Sequence, residues 1–159
     1  MRKLLGQSIV ETTIAAGLIM VCFVAALSLL NYTIKQNTYA RQLSVANKYA
    51  YQAADWLRAE KSLLGWTDFT AKLVTDAAGS NTVSYCLITL PAPTIAAFTT
   101  LAKGACSSTN YITGTTITRE LTLNLASRAS GIISGVITTS WQANTTRTTS
   151  LELELSQWN

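Results

Sequence analysis

The sequence predicts an α+β fold: a long N-terminal helix, half membrane-spanning and half amphipathic, packed on a roughly four-stranded antiparallel sheet. Three observations carry the prediction. Thr12–Leu30 is uncharged and apolar apart from Gly, Ser and Thr. From Asn31 to Leu64 there is no Pro or Gly, and apolar residues recur at helical spacing. After Gly65 the composition turns to Thr, Ser, Val and Ile, and apolar and polar residues alternate in short runs.

The first half of the helix follows from length. Nineteen residues from Thr12 to Leu30 span about 28 Å as a helix, close to the thickness of a bilayer core. A cleavable secretory signal has a shorter apolar region, about 7–15 residues, ending at a small-x-small site. Leu29-Leu30-Asn31-Tyr32 matches such a site poorly, and Ala25-Ala26-Leu27 keeps the alternative open. In the second half Tyr39, Leu43, Ala46, Ala50, Ala53 and Leu57 step by four and three, flanked by Tyr49 and Trp56. Lys48, Gln52, Asp55 and Arg58 fall largely elsewhere. One helix is therefore expected from near Ser8 to near Lys61, far longer than the usual globular helix of about 11–12 residues. The resulting segments are a leader at 1–6, a spanning half at 7–30, an amphipathic half at 31–64 and a sheet domain at 65–159.

The strands follow from period two. Ile117, Arg119, Leu121, Leu123 and Leu125 alternate with Thr118, Glu120, Thr122 and Asn124. Leu151, Leu153 and Leu155 alternate with Glu152 and Glu154, giving a strand over Leu151–Trp158. Ile132–Trp141 is a third strand, joined to its neighbours by the loops ASRAS and QANT, and Thr82–Leu90 a fourth, stopped by Pro91 and Pro93. One apolar face on such a sheet needs a cover, and the Tyr39–Leu57 stripe supplies it.

Composition narrows the chemistry. Only 13% of the 159 residues are charged, against roughly a quarter in soluble domains, and the apolar excess lies at the N-terminus. Net charge is +4, with Arg2 and Lys3 supplying half of it, which gives no strong nucleic-acid signal. There is no His, so no Ser–His or Cys–His pair can form and the commonest general base is missing. Glu152 and Glu154 read as a solvated strand face, and Asp68 and Asp76 lack calcium-ligand spacing. No cofactor, metal site or enzymatic activity is expected. Cys22 lies in the apolar run. Cys86 and Cys106 either form a disulfide closing a loop of about 20 residues, worth roughly 3 kcal/mol, or are two buried free thiols; a bridge would place that half outside the cytoplasm. Two Asn-x-Thr sequons, at Asn31 and Asn144, are expected by chance in so Thr-rich a chain. The four tryptophans, Trp56, Trp66, Trp141 and Trp158, are expected to pack between helix and sheet.

The opening stretch MRKLLGQSIVE has a short basic leader, then Gly6, then Glu11 five residues on, then the apolar helix. It resembles the class III signal of type IV prepilins, a family that includes pilins, minor pilins and type II secretion pseudopilins. The resemblance implies cleavage between Gly6 and Gln7 on the cytoplasmic side by a prepilin peptidase, with the helix retained. It also implies N-methylation of Gln7 and a register-setting role in assembly for Glu11, as the fifth residue of the mature chain. Many pilins have Phe where this chain has Gln7, and a helix-interrupting Pro that is missing here, leaving Gly17 as the flexible point. The tail, ITRELTLNL, GVITTSW and TTRTTSLELELSQW, is similar to the strand pattern of minor pilins. In this family many disulfides bracket a C-terminal loop, whereas a Cys86–Cys106 bridge would tether Pro91–Lys103 to the sheet.

A carboxylate inside an apolar helix is costly, about 2.5–3.5 kcal/mol at the centre of a membrane and less near its edge. Helix-dipole complementation returns only about 0.3–1 kcal/mol. Pairing with the N-terminal ammonium of a neighbouring subunit in a low-dielectric filament core is the stronger repayment. The expected function is a structural subunit of a type IV pilus-like filament, as a minor pilin. Its expected partners are other pilin subunits, the prepilin peptidase, the inner-membrane assembly platform and the cytoplasmic membrane. It would be single-pass before assembly, with its head outside the cytoplasm, and part of a surface pilus or envelope-spanning pseudopilus afterwards. The alternatives are a type II secretion pseudopilin, and an uncleaved signal-anchored surface binding module.

Overall fold

The computed structural model describes residues 5–94, 97–143 and 145–158, with side chains from residue 9 onward. The expected α+β architecture is present: one helix, α1 (Leu5–Ala77), and a four-stranded antiparallel sheet of β1 (Thr82–Cys86), β2 (Ile117–Asn124), β3 (Ile132–Gln142) and β4 (Thr146–Ser156), ordered β1-β2-β3-β4. The chain divides into two compact units between Gln42 and Leu43. The first is helical throughout its described residues.

In the second unit, Ala46, Ala50, Ala53 and Leu57 are buried, as the stripe requires, with Leu43 half-buried. Tyr39 lies in the first unit and is exposed. Small side chains let the sheet come close: the Thr139 hydroxyl, fully buried on β3, donates to the Ala46 carbonyl at 3.4 Å. The sheet meets the helix with aligned apolar rows. Tyr85, Leu121, Ile137 and Leu151 are in register across all four strands, and so are Val83, Leu123, Gly135 and Leu153. Gly135 is the gap in the second row. A Cβ there would lie 2.7 Å from Leu123 Cδ2 and 3.3 Å from Leu153 Cγ.

The helix does not stop near Lys61. Gly65 leaves the helical region (φ 74°, ψ 161°), after which the helix resumes to Ala77. The reason is apolar spacing: Phe69, Leu73 and Ala77 repeat every four residues and bury against the same core. Glycine is needed at the break because that backbone region is open essentially to it alone. The first strand ends at Cys86 rather than Leu90, since Leu87 onward belongs to the disulfide loop. The last begins at Thr146, five residues before Leu151, paired with β3 from Gln142 on. Its five added residues, Thr146–Ser150, are all polar, so they carry no apolar alternation. Trp56 and Trp141 are buried and Trp66 packs on the core, but Trp158 is 83% exposed and is not a packing residue. The QANT loop and its sequon include Asn144, which lies outside the described residues; ASRAS holds a single 3-10 turn over Arg128–Ser130.

Candidate functional site

Two features of the chain stand out, one in each unit. In the first unit every described residue from Ile9 to Leu30 is exposed, among them Ile14, Leu18, Phe23 and Leu27. An 18-residue window reaches a mean hydropathy of 2.5 with none of it buried, and among the described residues this is the helix long and apolar enough to cross a membrane. Exposed apolar surface costs about 25 cal/mol per Å² in water, so such a helix needs lipid or other helices around it. Several hydroxyls on this stretch of helix bond back to the preceding turn. Thr13 donates to the Ile9 and Val10 carbonyls, Ser28 to Val24 and Thr33 to Leu29, each at 2.9–3.1 Å. These bonds satisfy the donors within the helix itself.

Glu11 stands apart from this pattern. It is exposed on the helix between Val10 and Thr12, and no hydrogen bond or ion pair joins its carboxylate to another described side chain. Gly6 and Gln7 have helical backbone, but their side chains lie outside the described residues, as does the leader before Leu5. Cys22 is a free, exposed thiol on the same helix.

In the second unit Cys86 and Cys106 are joined as a disulfide, with their Cα atoms 4.8 Å apart. The enclosed loop is held down by polar groups from the helix and β2, of which Glu60 is the one not named in the expected helix stripe or strands. Glu60 is fully buried, and its carboxylate accepts the N–H groups of Thr94 and Phe98 at 3.1 and 3.0 Å. Trp56 Nε1 donates to the Pro91 carbonyl at 2.9 Å. Arg119 is 2% exposed; its Nε and Nη2 donate to the Leu87 carbonyl and its Nη1 to the Tyr49 carbonyl, all within 3.1 Å. Burial lowers the Arg119 guanidinium to about 10, with Tyr49 acting the other way, so it remains charged at neutral pH. Three carbonyl bonds and the face of the Tyr49 ring, 5.9 Å away, replace its lost water.

No protein-family model, curated protein or solved structure matches this chain.

At the far end of the loop, Lys103 donates to the Asp76 carbonyl at 3.1 Å and Gly104 N–H to the Ser84 carbonyl at 2.8 Å. The Asp76 carboxylate accepts from the Tyr85 hydroxyl at 2.7 Å and pairs with Lys72 at 2.7 Å. Burial pushes the Asp76 carboxyl up, but the Lys72 and Tyr85 hydrogen bonds and the charges of Lys72 and Lys103 together hold it below the ordinary carboxylate value. Burial first, and Asp76 second, raise the Tyr85 phenol above its ordinary value. Asp76 is thus a structural clamp. Glu152 and Glu154 are exposed on β4, on the face expected for them. Among the described residues no three His, Cys, Asp or Glu side chains are grouped so as to hold a metal ion.

Proposed function

We propose that this chain is a structural subunit, of the minor-pilin kind, in a type IV pilus-like filament. In this reading a prepilin peptidase cuts between Gly6 and Gln7, Gln7 is N-methylated, and the apolar helix is held in the cytoplasmic membrane with the disulfide-bonded unit outside. The assembly platform then moves the helix into a core formed with other pilin subunits. The observation that carries the reading is the exposed apolar helix with a Glu11 carboxylate near its start that has no partner among the described residues. Lipid alone would satisfy the apolar surface but not the carboxylate. A neighbouring subunit's N-terminal ammonium satisfies the carboxylate, and neighbouring helices cover the apolar surface. Pairing of this kind selects one axial register between subunits, because slipping it leaves two unpaired charges in a medium of low dielectric.

The test is Glu11→Ala. Cleavage and membrane insertion should persist, while incorporation into sheared filaments falls on the order of tenfold or more, since breaking a buried pair costs about 3–5 kcal/mol. Normal incorporation of the variant would remove the pairing role.

A further inference from the structure

The second unit carries a cleft that the filament reading does not use. It has a volume of about 200 Å³ and lies where the segment after Cys106 passes the ends of β2, β3 and β4. Its floor is sheet: Thr118 and Ser140 are cross-strand partners, as are Gln142 and Thr146. Its wall runs through Ser107, Ser108 and Tyr111.

The lining is unusual in what it omits. The chain is basic overall, yet the described lining residues include no Lys or Arg, and no Asp or Glu. An anionic ligand, whether phosphate, nucleic acid or an acidic glycan, would find no counter-charge among those lining residues. Nor do they include Leu, Ile, Val, Met or Phe; the apolar surface there comes from the Tyr111 and Trp141 rings and the Cys106 side chain, flat aromatic surface rather than an aliphatic slot. What remains is hydroxyl, amide and aromatic surface. The Ser108, Thr116 and Ser140 hydroxyls are not committed to other hydrogen bonds among the described residues, and the Gln142 amide is bound only through its oxygen, by Thr146 at 3.2 Å. Tyr111 is 39% exposed, a large ring left open to water.

The wall is also fixed in advance. Besides the disulfide, the Cys106 N–H donates to Glu120 at 2.9 Å, Ser107 N–H to Asn110 Oδ1 at 2.8 Å, and Ile112 N–H to the Ile117 carbonyl at 2.8 Å. A prearranged wall spares the ordering cost that weakens binding to mobile loops.

We propose that this cleft is a binding site for a neutral saccharide. One sugar ring stacks its C–H face on Tyr111, and its hydroxyls exchange hydrogen bonds with Ser108, Thr116, Ser140 and the Gln142 amide. Uncharged hydroxyl and amide groups both donate and accept, as sugar hydroxyls do, and an aromatic face suits the apolar side of a pyranose. The site is independent of filament assembly, and its failure would leave that reading untouched.

The test uses the full chain in a non-glycosidic detergent, with cellotetraose, chitotetraose and mannotetraose as neutral probes. A heparin tetrasaccharide and an oligothymidylate serve as anionic comparators, and binding is followed by saturation-transfer NMR and tyrosine fluorescence. At least one neutral probe should bind saturably. Tyr111→Ala should weaken it roughly tenfold or more with the melting temperature unchanged, while Tyr111→Phe keeps the stacking face and stays within about twofold. Ser140→Ala should weaken it several-fold. Binding by the anionic comparators alone, no binding of any neutral probe, or binding indifferent to Tyr111→Ala would each overturn the proposal.

Discussion

Glu60 Oε2 accepts the backbone N–H of Phe98 at 3.0 Å, tying the helix to a loop 38 residues further along the chain. Phe98 is itself fully buried, stacked on Phe69 at 4.7 Å between ring centroids. A carboxylate that has given up its water is thus the anchor that brings an aromatic residue into the core.

Replacing Glu60 should therefore cost more than a surface change. Glu60→Ala strands two N–H groups and leaves a void, and should destabilise the second unit by about 2–4 kcal/mol. Glu60→Gln keeps one acceptor oxygen and should cost less. Thermal unfolding of the full chain in detergent, followed by near-ultraviolet circular dichroism, measures both.

The helix break and the helix end should respond in opposite directions. Gly65 has φ 74° and ψ 161°, so Gly65→Ala should destabilise by about 1–3 kcal/mol although nothing lies within 4 Å of the added Cβ. Ala78 has φ 49° just past the end of α1. Ala78→Gly should stabilise by about 0.5–1 kcal/mol, because glycine takes the left-handed region without a Cβ penalty. Equal and small effects at both sites in the same melts would contradict this assignment.

Much of this arrangement was legible in the sequence, and what was not has physical causes. Alternation located β2 and β3 within about one residue because one face of each is buried. It also put Arg119 on the apolar face, which was the one sign that this arginine is interior. Glu60 falls on the next step of the stripe 46, 50, 53, 57, yet a single acidic residue there does not say what it holds, since its partners are backbone N–H groups in a loop. Gly65 read as a helix end because one glycine breaks the pattern, while Phe69, Leu73 and Ala77 carried the evidence that helix returns. The Tyr111 cleft had no sequence signal, being built from dispersed Ser and Thr that ordinary strands also contain.

Removing the disulfide should loosen the loop without unfolding the sheet outright. The cysteines are 20 positions apart, so Cys86→Ser with Cys106→Ser should cost roughly 3 kcal/mol. Glu60, Arg119 and Lys103 still hold the loop, so hydrogen exchange should quicken most near Cys106 and least near Phe98. Uniform loss of protection would contradict this order.

Acid should act through Asp76. Its carboxyl sits below the ordinary value in the folded chain, so its contribution is present above about pH 4 and is lost as pH falls through the folded value. Tyr85 is raised, so its contribution is full below about pH 10 and is lost as pH climbs beyond that. The Lys72–Asp76 pair is partly open to solvent, with side chains 19% and 12% exposed, and should contribute no more than about 1 kcal/mol. Melting temperatures between pH 2 and pH 7 should fall less steeply at the acid end in Asp76→Asn.

Processing at Gly6–Gln7 and the place of Glu11 are tested most directly by the N-terminal sequence and intact mass of the protein from its native envelope. The filament account predicts a mature chain that starts at Gln7, carrying a methyl group on its amine, with Glu11 as the fifth residue from that ammonium. A chain that still starts at Met1 would contradict processing and leave a signal-anchored binding protein. A start beyond Leu27 would mean an exported unit without the helix, and would end the filament account.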